Sequence, residues 1–217
     1  MKFSDFTLQK LDKTFGLCQV REHPALTSWL QTDTIALSTM ETSVVGDIER
    51  RLRLNVDNWN EQELSLNCIG PMLALVDLSG ATFNSFAARS LSGVINGEEL
   101  SGIPDGMVAR GWREPEIPYF CLQEYKRDKD PNGDPAAQVL AAMLVAQHLN
   151  ANDSSSALAR ERAVYGCYIV GRMWYFVVLS GTEYAMSAGH NAAREEIFEI
   201  FTILKSLKRI ITEWNVV

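Results

Sequence analysis

The chain lacks the marks of a membrane protein, a disulfide scaffold or a zinc protein. No window approaches the roughly 18 uncharged apolar residues of a membrane span, and Met1-Lys2-Phe3-Ser4-Asp5 opens without the apolar core of a secretion signal. Cysteine is sparse. Cys18, Cys68, Cys121 and Cys167 are scattered, with no Cys-x-x-Cys pair and no zinc-like His/Cys spacing. They read as reduced core residues of a cytoplasmic protein. His23, His148 and His190 are too dispersed for a cluster, and caps or surface positions account for them. There is no Gly-x-Ser-x-Gly elbow, P-loop or dinucleotide fingerprint, so elbow hydrolase, NTPase and Rossmann chemistry have no residues to rest on. Positive charge is also short. Lys and Arg number 20 against 27 Asp and Glu, a net charge of -7 with a pI near 5.0. That balance argues against a protein that coats nucleic acid nonspecifically, since phosphate binding rests on clustered cations, though a local basic face stays compatible with it.

What is present is a globular composition. With 217 residues, 47% apolar and 22% charged, the chain can bury one large core, and without internal repeats or a convincing linker one domain is the economical reading. Up to about residue 55 the pattern is mixed: short apolar pieces at Leu8 to Phe15, Ala25 to Leu30 and Ile35 to Leu37 precede an approximately helical stretch from Ser43 to Leu54. Arg50, Arg51 and Arg53 on that stretch invite a phosphate-binding reading; a solvated helix face is the simpler account. Asn60 with Glu63 three residues on is a capping box, and Leu64, Leu66, Ile69, Leu73 and Val76 continue it as a helix over 60–76 that Pro71 kinks or shortens. Glu63 is used by the cap. Glu61 has no such role.

Extended patterns at Thr82 to Ile95, Gly106 to Arg110 and Tyr119 to Lys126 predict three successive strands in an antiparallel meander, with the two-proline stretch 114–118 as a connecting loop. A polar loop over 127–133 follows. Asp134 then caps a helix with Pro135 at its first position, apolar from Val139 to Leu149 on a wide face that packs on the sheet. The Ser/Asn-rich stretch 150–159 reads as a loop. Val-rich segments at 163–170 and 173–179 form a hairpin around Gly171-Arg172, a short strand follows at 182–186, and an amphipathic helix over 191–214 closes the chain. Trp174, Tyr175 and Phe176 could stack on bases, but a hairpin core or rim is the commoner use.

The chemistry gathers at two stretches, Gly102-Ile103-Pro104-Asp105-Gly106 and Gln123-Glu124-Tyr125-Lys126. Residues two apart in a strand point to one side, so Glu124 and Lys126 sit together on the face of Phe120 and Leu122, with Asp105 delivered by the preceding strand. Two carboxylates offer hard oxygen ligands to Mg²⁺ or Mn²⁺; such an ion polarises a phosphodiester and lowers the pKa of a bound water, while a lysine stabilises charge developing in the transition state. Charges ending an otherwise buried row call for a partner or a ligand. A structural ion pair is the other reading.

The order of helix, three strands, helix and strand, with Pro104-Asp105 on the second strand and Glu124-Tyr125-Lys126 on the third, resembles the PD-(D/E)XK nuclease superfamily over about residues 58 to 180. Within it the chain is similar to an uncharacterised bacterial group with a Trp-Asn-Glu helix start, a Gln-Glu-Tyr-Lys strand and a Tyr-Gly-x-Tyr-x-x-Gly-Arg-x-Trp hairpin. Here these are Trp59-Asn60-Glu61, Gln123 to Lys126, and Tyr165-Gly166-Cys167-Tyr168 leading to Gly171-Arg172-Met173-Trp174. The resemblance implies an α/β, restriction-endonuclease-like αβββαβ core with a mixed sheet flanked by helices. Residues 1–57 become an N-terminal extension packed on a nuclease-like domain over 58–217. It further implies that Asp105, Glu124 and Glu61 bind Mg²⁺, with Mn²⁺ as substitute, that Lys126 assists the nucleophile, and that Gln138 on the following helix approaches the site. Some enzymes of this kind carry a further tyrosine four residues on, where this chain has Ala142. The implied activity is Mg²⁺-dependent cleavage of DNA, with RNA as the other nucleic acid of the same chemistry, by a protein not bound to a membrane that can act as a homodimer or in a larger complex. The alternative is a catalytically inactive nuclease fold that binds or regulates a partner.

Overall fold

Continuous β-branched and aromatic runs such as Val164–Val170 and Met173–Ser180 are covered on both faces, and they form the centre of a mixed sheet. The computed structural model describes residues 1–128, 133–152 and 162–214. Its strands in chain order are β1 (Cys18–Gln19), β2 (Phe83–Ala87), β3 (Leu91–Ile95), β4 (Glu98–Gly102), β5 (Gly106–Arg110), β6 (Glu116–Lys126), β7 (Val164–Val170), β8 (Met173–Ser180), β9 (Glu183–Met186) and β10 (His190–Asn191). The main sheet runs β1-β9-β8-β7-β6-β5-β2, with β10 paired to β8, while β3 and β4 form a separate hairpin. β6 and β7 are parallel, as are β1 and β9; the other pairs are antiparallel.

The helices are α1 (Leu8–Phe15), α2 (Pro24–Leu30), α3 (Thr39–Asn55), α4 (Glu61–Leu64), α5 (Gly70–Val76), α6 (Pro135–Asn152) and α7 (Glu196–Trp214). They cover both faces. One core joins α2, α3, α4, α5 and α7 to side chains such as Phe120, Cys121, Tyr125, Tyr165 and Phe176. The other joins α1, α6 and the β3–β4 hairpin to Leu122, Met107 and Val177. The fold is therefore α/β, a mixed sheet flanked by helices. No helix among the described residues is long and apolar enough to cross a membrane.

The meander of β2, β5 and β6 is antiparallel, but the β3–β4 hairpin is inserted between its first two strands. The stretch read as one extended segment from Thr82 to Ile95 is thus two strands in two sheets, and β4 was not anticipated because Glu98 and Glu99 interrupt its apolar pattern. α6 continues to Asn152, into the stretch expected as a loop over 150–159; residues 153–159 of it, and 129–132 of the expected polar loop, lie outside the described residues. Asp134 caps α6 as expected, its Oδ1 accepting from the Ala137 amide at 3.0 Å. The last helix starts at Glu196 rather than 191, because Asn191 pairs with Met173 in β10.

The helix predicted over 60–76 is continuous but not uniform. Asn60 caps it reciprocally with Glu63. Over Ser65–Ile69 it widens into a π turn, in which the Gly70 N–H donates to the Ser65 carbonyl five residues back. Pro71 has no N–H to give, and the wider turn just before it accommodates this without ending the helix.

Candidate active site

The C-terminal end of β6 is where the charged residues meet. β6 lies inside the sheet, between β5 and β7, so the cluster sits at strand ends and not on a lateral edge. Asp105 is the residue before β5, a correction of one position to its expected place on that strand. Its Oδ2 accepts the Tyr125 backbone N–H at 2.6 Å, which fastens the acid to β6 between Glu124 and Lys126. Its own carbonyl accepts from the Ala88 amide.

The face of β6 differs from the expected one. A bulge in the β5–β6 ladder pairs Val108 with Cys121 but Ala109 with Tyr119, leaving Phe120 as the extra residue. Phe120 thereby joins the α7-side core, while Leu122 faces the α6 side. Glu124 and Lys126 thus continue the row of Leu122 without Phe120. On the opposite side Gln123 and Tyr125 are buried and share a short hydrogen bond from the Tyr125 hydroxyl to Gln123 Oε1. Gly106 makes room for it: a Cβ there would overlap Gln123 Oε1 and stand 2.9 Å from the Tyr125 hydroxyl.

Lys126 Nζ donates to Glu124 Oε1 at 2.6 Å and to the Tyr125 carbonyl at 3.0 Å, and lies 3.7 Å from Glu61 Oε2. The Glu124 and Lys126 side chains are 9% and 14% exposed, Glu61 47%. Burial, reinforced by the Asp105 charge, pushes the Glu124 carboxyl up to about 7 against the opposing effect of Lys126. Burial also raises Asp105, with Glu61 adding to it and the Tyr125 amide and Lys126 opposing. For Lys126 burial disfavours the charge, but its bond to Glu124 and the three surrounding carboxylates outweigh that and raise it. Two acids that resist ionisation, beside one ammonium, form a cluster short of positive charge.

That shortage, and the hard oxygen donors, fit a divalent cation bound by Asp105 and Glu124. Glu61 is less committed, being held to the pair through Lys126. Among the described residues no group of three or more His, Cys, Asp or Glu side chains is gathered tightly enough to hold a metal ion. Gln138 lies in the first turn of α6, 8% exposed. Its amide is packed against Gly133, where a Cβ would stand 2.6 Å from Nε2, and among the described residues it shares no hydrogen bond with the four charged groups.

No protein-family model matches the chain, and no curated protein matches it either.

Three neighbouring residues were not foreseen. Arg172, in the β7–β8 turn, bonds Asp128 Oδ2 through Nη2 at 3.2 Å and also meets Asp57, while the Gly171 amide donates to the Lys126 carbonyl at 2.9 Å. Parallel pairing of β6 with β7 brings that turn beside Lys126, and an antiparallel reading of β6 and β7 would have hidden it. The Arg50, Arg51 and Arg53 run behaves as the simpler account has it: Arg50 pairs with Asp47 and Arg53 with Glu49 on the surface of α3.

Proposed function

We propose that this protein is a Mg²⁺-dependent nuclease with a restriction-endonuclease-like αβββαβ core, hydrolysing phosphodiester bonds in DNA. The observation that carries the reading is the buried Glu124, raised to about 7, side by side with Lys126 and fastened next to Asp105 by the Tyr125 amide. A bound cation relieves buried carboxylates whose ionisation is disfavoured, and such a pair is costly to keep without a use. Asp105 and Glu124 would hold the ion, with Glu61 as a third oxygen donor and Mn²⁺ as a substitute. Bound there, it supplies polarisation of the phosphodiester and a more acidic water. Lys126 carries the protein's own part: its ammonium orients the attacking water and stabilises negative charge on the phosphoryl oxygens. Gln138 is assigned to substrate approach, through the start of α6. RNA has the same scissile group, so it belongs in the same assay.

The test is cleavage of supercoiled, linear and single-stranded DNA, and of RNA, in Mg²⁺ or Mn²⁺. Lys126→Ala and Asp105→Ala are expected to cut about 10²-fold to 10³-fold more slowly with unchanged circular dichroism. Cleavage that persists in both variants removes the proposed site. A second reading, a noncatalytic binding or regulatory module on the same fold, is favoured by one observation: the Lys126 ammonium already occupies Glu124 Oε1 at 2.6 Å. Calorimetry separates the two, because a module of that kind takes up no divalent ion at Glu124.

A further inference from the structure

Glu61 belongs to the proposed ion site only if something holds it there, and its own contact is weak. The Lys126–Glu61 approach is 3.7 Å with Glu61 about half exposed, and exposed pairs of that geometry contribute little on their own. The segment just before Glu61 is built differently. Asn58 and Trp59 donate their amides to the Asn55 carbonyl at 2.9 and 3.1 Å, and Trp59 packs on the core. Asn60 and Glu63 then lock the first turn of α4. From Asn55 to Glu63 the chain is one tied unit, and Asp57 projects from it onto Arg172.

Arg172 is tied at its other side to the strand that bears the lysine. Its guanidinium bonds Asp128, two residues beyond Lys126, through both Nη2 and Nε, at 3.2 and 3.4 Å. The preceding Gly171 amide holds the Lys126 carbonyl, and the Arg172 carbonyl accepts the Ala192 amide at 2.8 Å. Gly171 has φ of 56°, and a Cβ there would overlap the Asp128 side chain, so the turn closes onto Asp128 only with glycine. A planar guanidinium reaching two carboxylates from a fixed turn is a rigid link that an ammonium cannot reproduce.

We infer that Arg172 is a positioning residue: through Asp57 and Asp128 it fixes the Glu61-bearing segment against the end of β6, and so sets Glu61 beside Lys126. It also engages the Asp57 and Asp128 carboxylates, while Glu61 pairs with Lys126. This rests on the nuclease reading for the use of Glu61, but the link itself is a property of the metal-free protein.

The experiment uses the full chain as wild type, Arg172→Ala, Arg172→Lys and Asp57→Asn. Hydrogen exchange without metal comes first. Amides of residues 57–61 should exchange about tenfold faster in Arg172→Ala and Asp57→Asn, with Arg172→Lys between these and wild type; unchanged exchange in all three overturns the inference. Mn²⁺ titration comes second, with about fivefold to tenfold weaker binding expected in Arg172→Ala and no further loss when Asp57→Asn is added. In cleavage assays kcat should fall while KM holds. A raised KM with kcat intact would mean that Arg172 touches the substrate instead, and would overturn the positioning role. If wild type binds no Mn²⁺, the ligand assignment to Asp105 and Glu124 falls, and the exchange result alone decides the link.

Discussion

Replacing Glu124 by Gln should make the metal-free protein more stable at pH 8 and erase part of its pH dependence. In the folded protein burial and Asp105 lift the carboxyl from 4.5 to about 7, so between those values the native state binds protons that the unfolded chain has released. Stability therefore falls as pH rises through that window, the reverse of an acid whose pKa is lowered on folding. At about 1.4 kcal/mol per tenfold change in proton affinity, the loss by pH 8 is about 3 kcal/mol. Asp105, also raised, acts in the same direction. The assay is urea denaturation of wild type and Glu124→Gln from pH 5 to 8, in which the difference between the two cancels the other titrating groups. The variant should gain on wild type as pH rises, by up to about 3 kcal/mol, reduced by whatever Lys126 loses with its partner. Adding Mg²⁺ at a hundred times its dissociation constant should return about 2.7 kcal/mol to wild type and much less to the variant. Parallel stability curves would refute the account of Glu124 as a destabilised buried acid, and an equal Mg²⁺ effect on both proteins would place the ion elsewhere.

Gly106→Ala should lower stability by about 1–3 kcal/mol, read as a drop of several degrees in Tm, because the added methyl displaces Gln123 from the Tyr125 hydroxyl; an unshifted Tm would show that the pair can move aside freely. Glu41 behaves oppositely to Glu124. Lys205 at 2.7 Å, helped by the Ser38 amide, lowers its carboxyl to about 2, so its contribution is present above pH 4.5 and is lost as pH falls towards 2. Glu41→Gln should flatten the Tm profile in that acid range, and a profile identical to wild type would remove the ion pair from the explanation.

The parts of the fold that could be read in the sequence were those with local causes. Asn60-x-x-Glu63 and Asp134-Pro135 start helices by hydrogen bonds within one turn, and the residues named there do so. The alternation of Glu124 and Lys126 follows from the pleat, and the two side chains are neighbours. What was not legible depends on distant partners. The β5–β6 bulge that moves Phe120 to the other core depends on how two strands align, which no single strand encodes. The β3–β4 hairpin was masked by two adjacent glutamates, both exposed at the start of β4, which break the alternation a strand is read from. Asp57, Asp128 and Arg172 are 115 and 44 residues apart in pairs, and only the parallel placement of β7 beside β6 brings them into contact. The aromatic run of the hairpin is split by the same geometry: Trp174 and Phe176 are buried, while Tyr175 stacks on Tyr168.

The π turn over Ser65–Ile69 can be considered as a matter of phase. An α-helix advances about 100° per residue, so one additional residue in a turn rotates everything on its N-terminal side relative to the part beyond it. Met72 and Val76 fix the far half of the helix on the core, and the wide turn dials the near half, with Glu61 at its tip. A uniform helix on the same core contacts would carry Glu61 about 100° around the barrel of the helix, away from Lys126. The extra residue acts as an angular offset between two packed halves, Leu64 and Cys68 on one side and Met72 and Val76 on the other, and so sets where Glu61 aims.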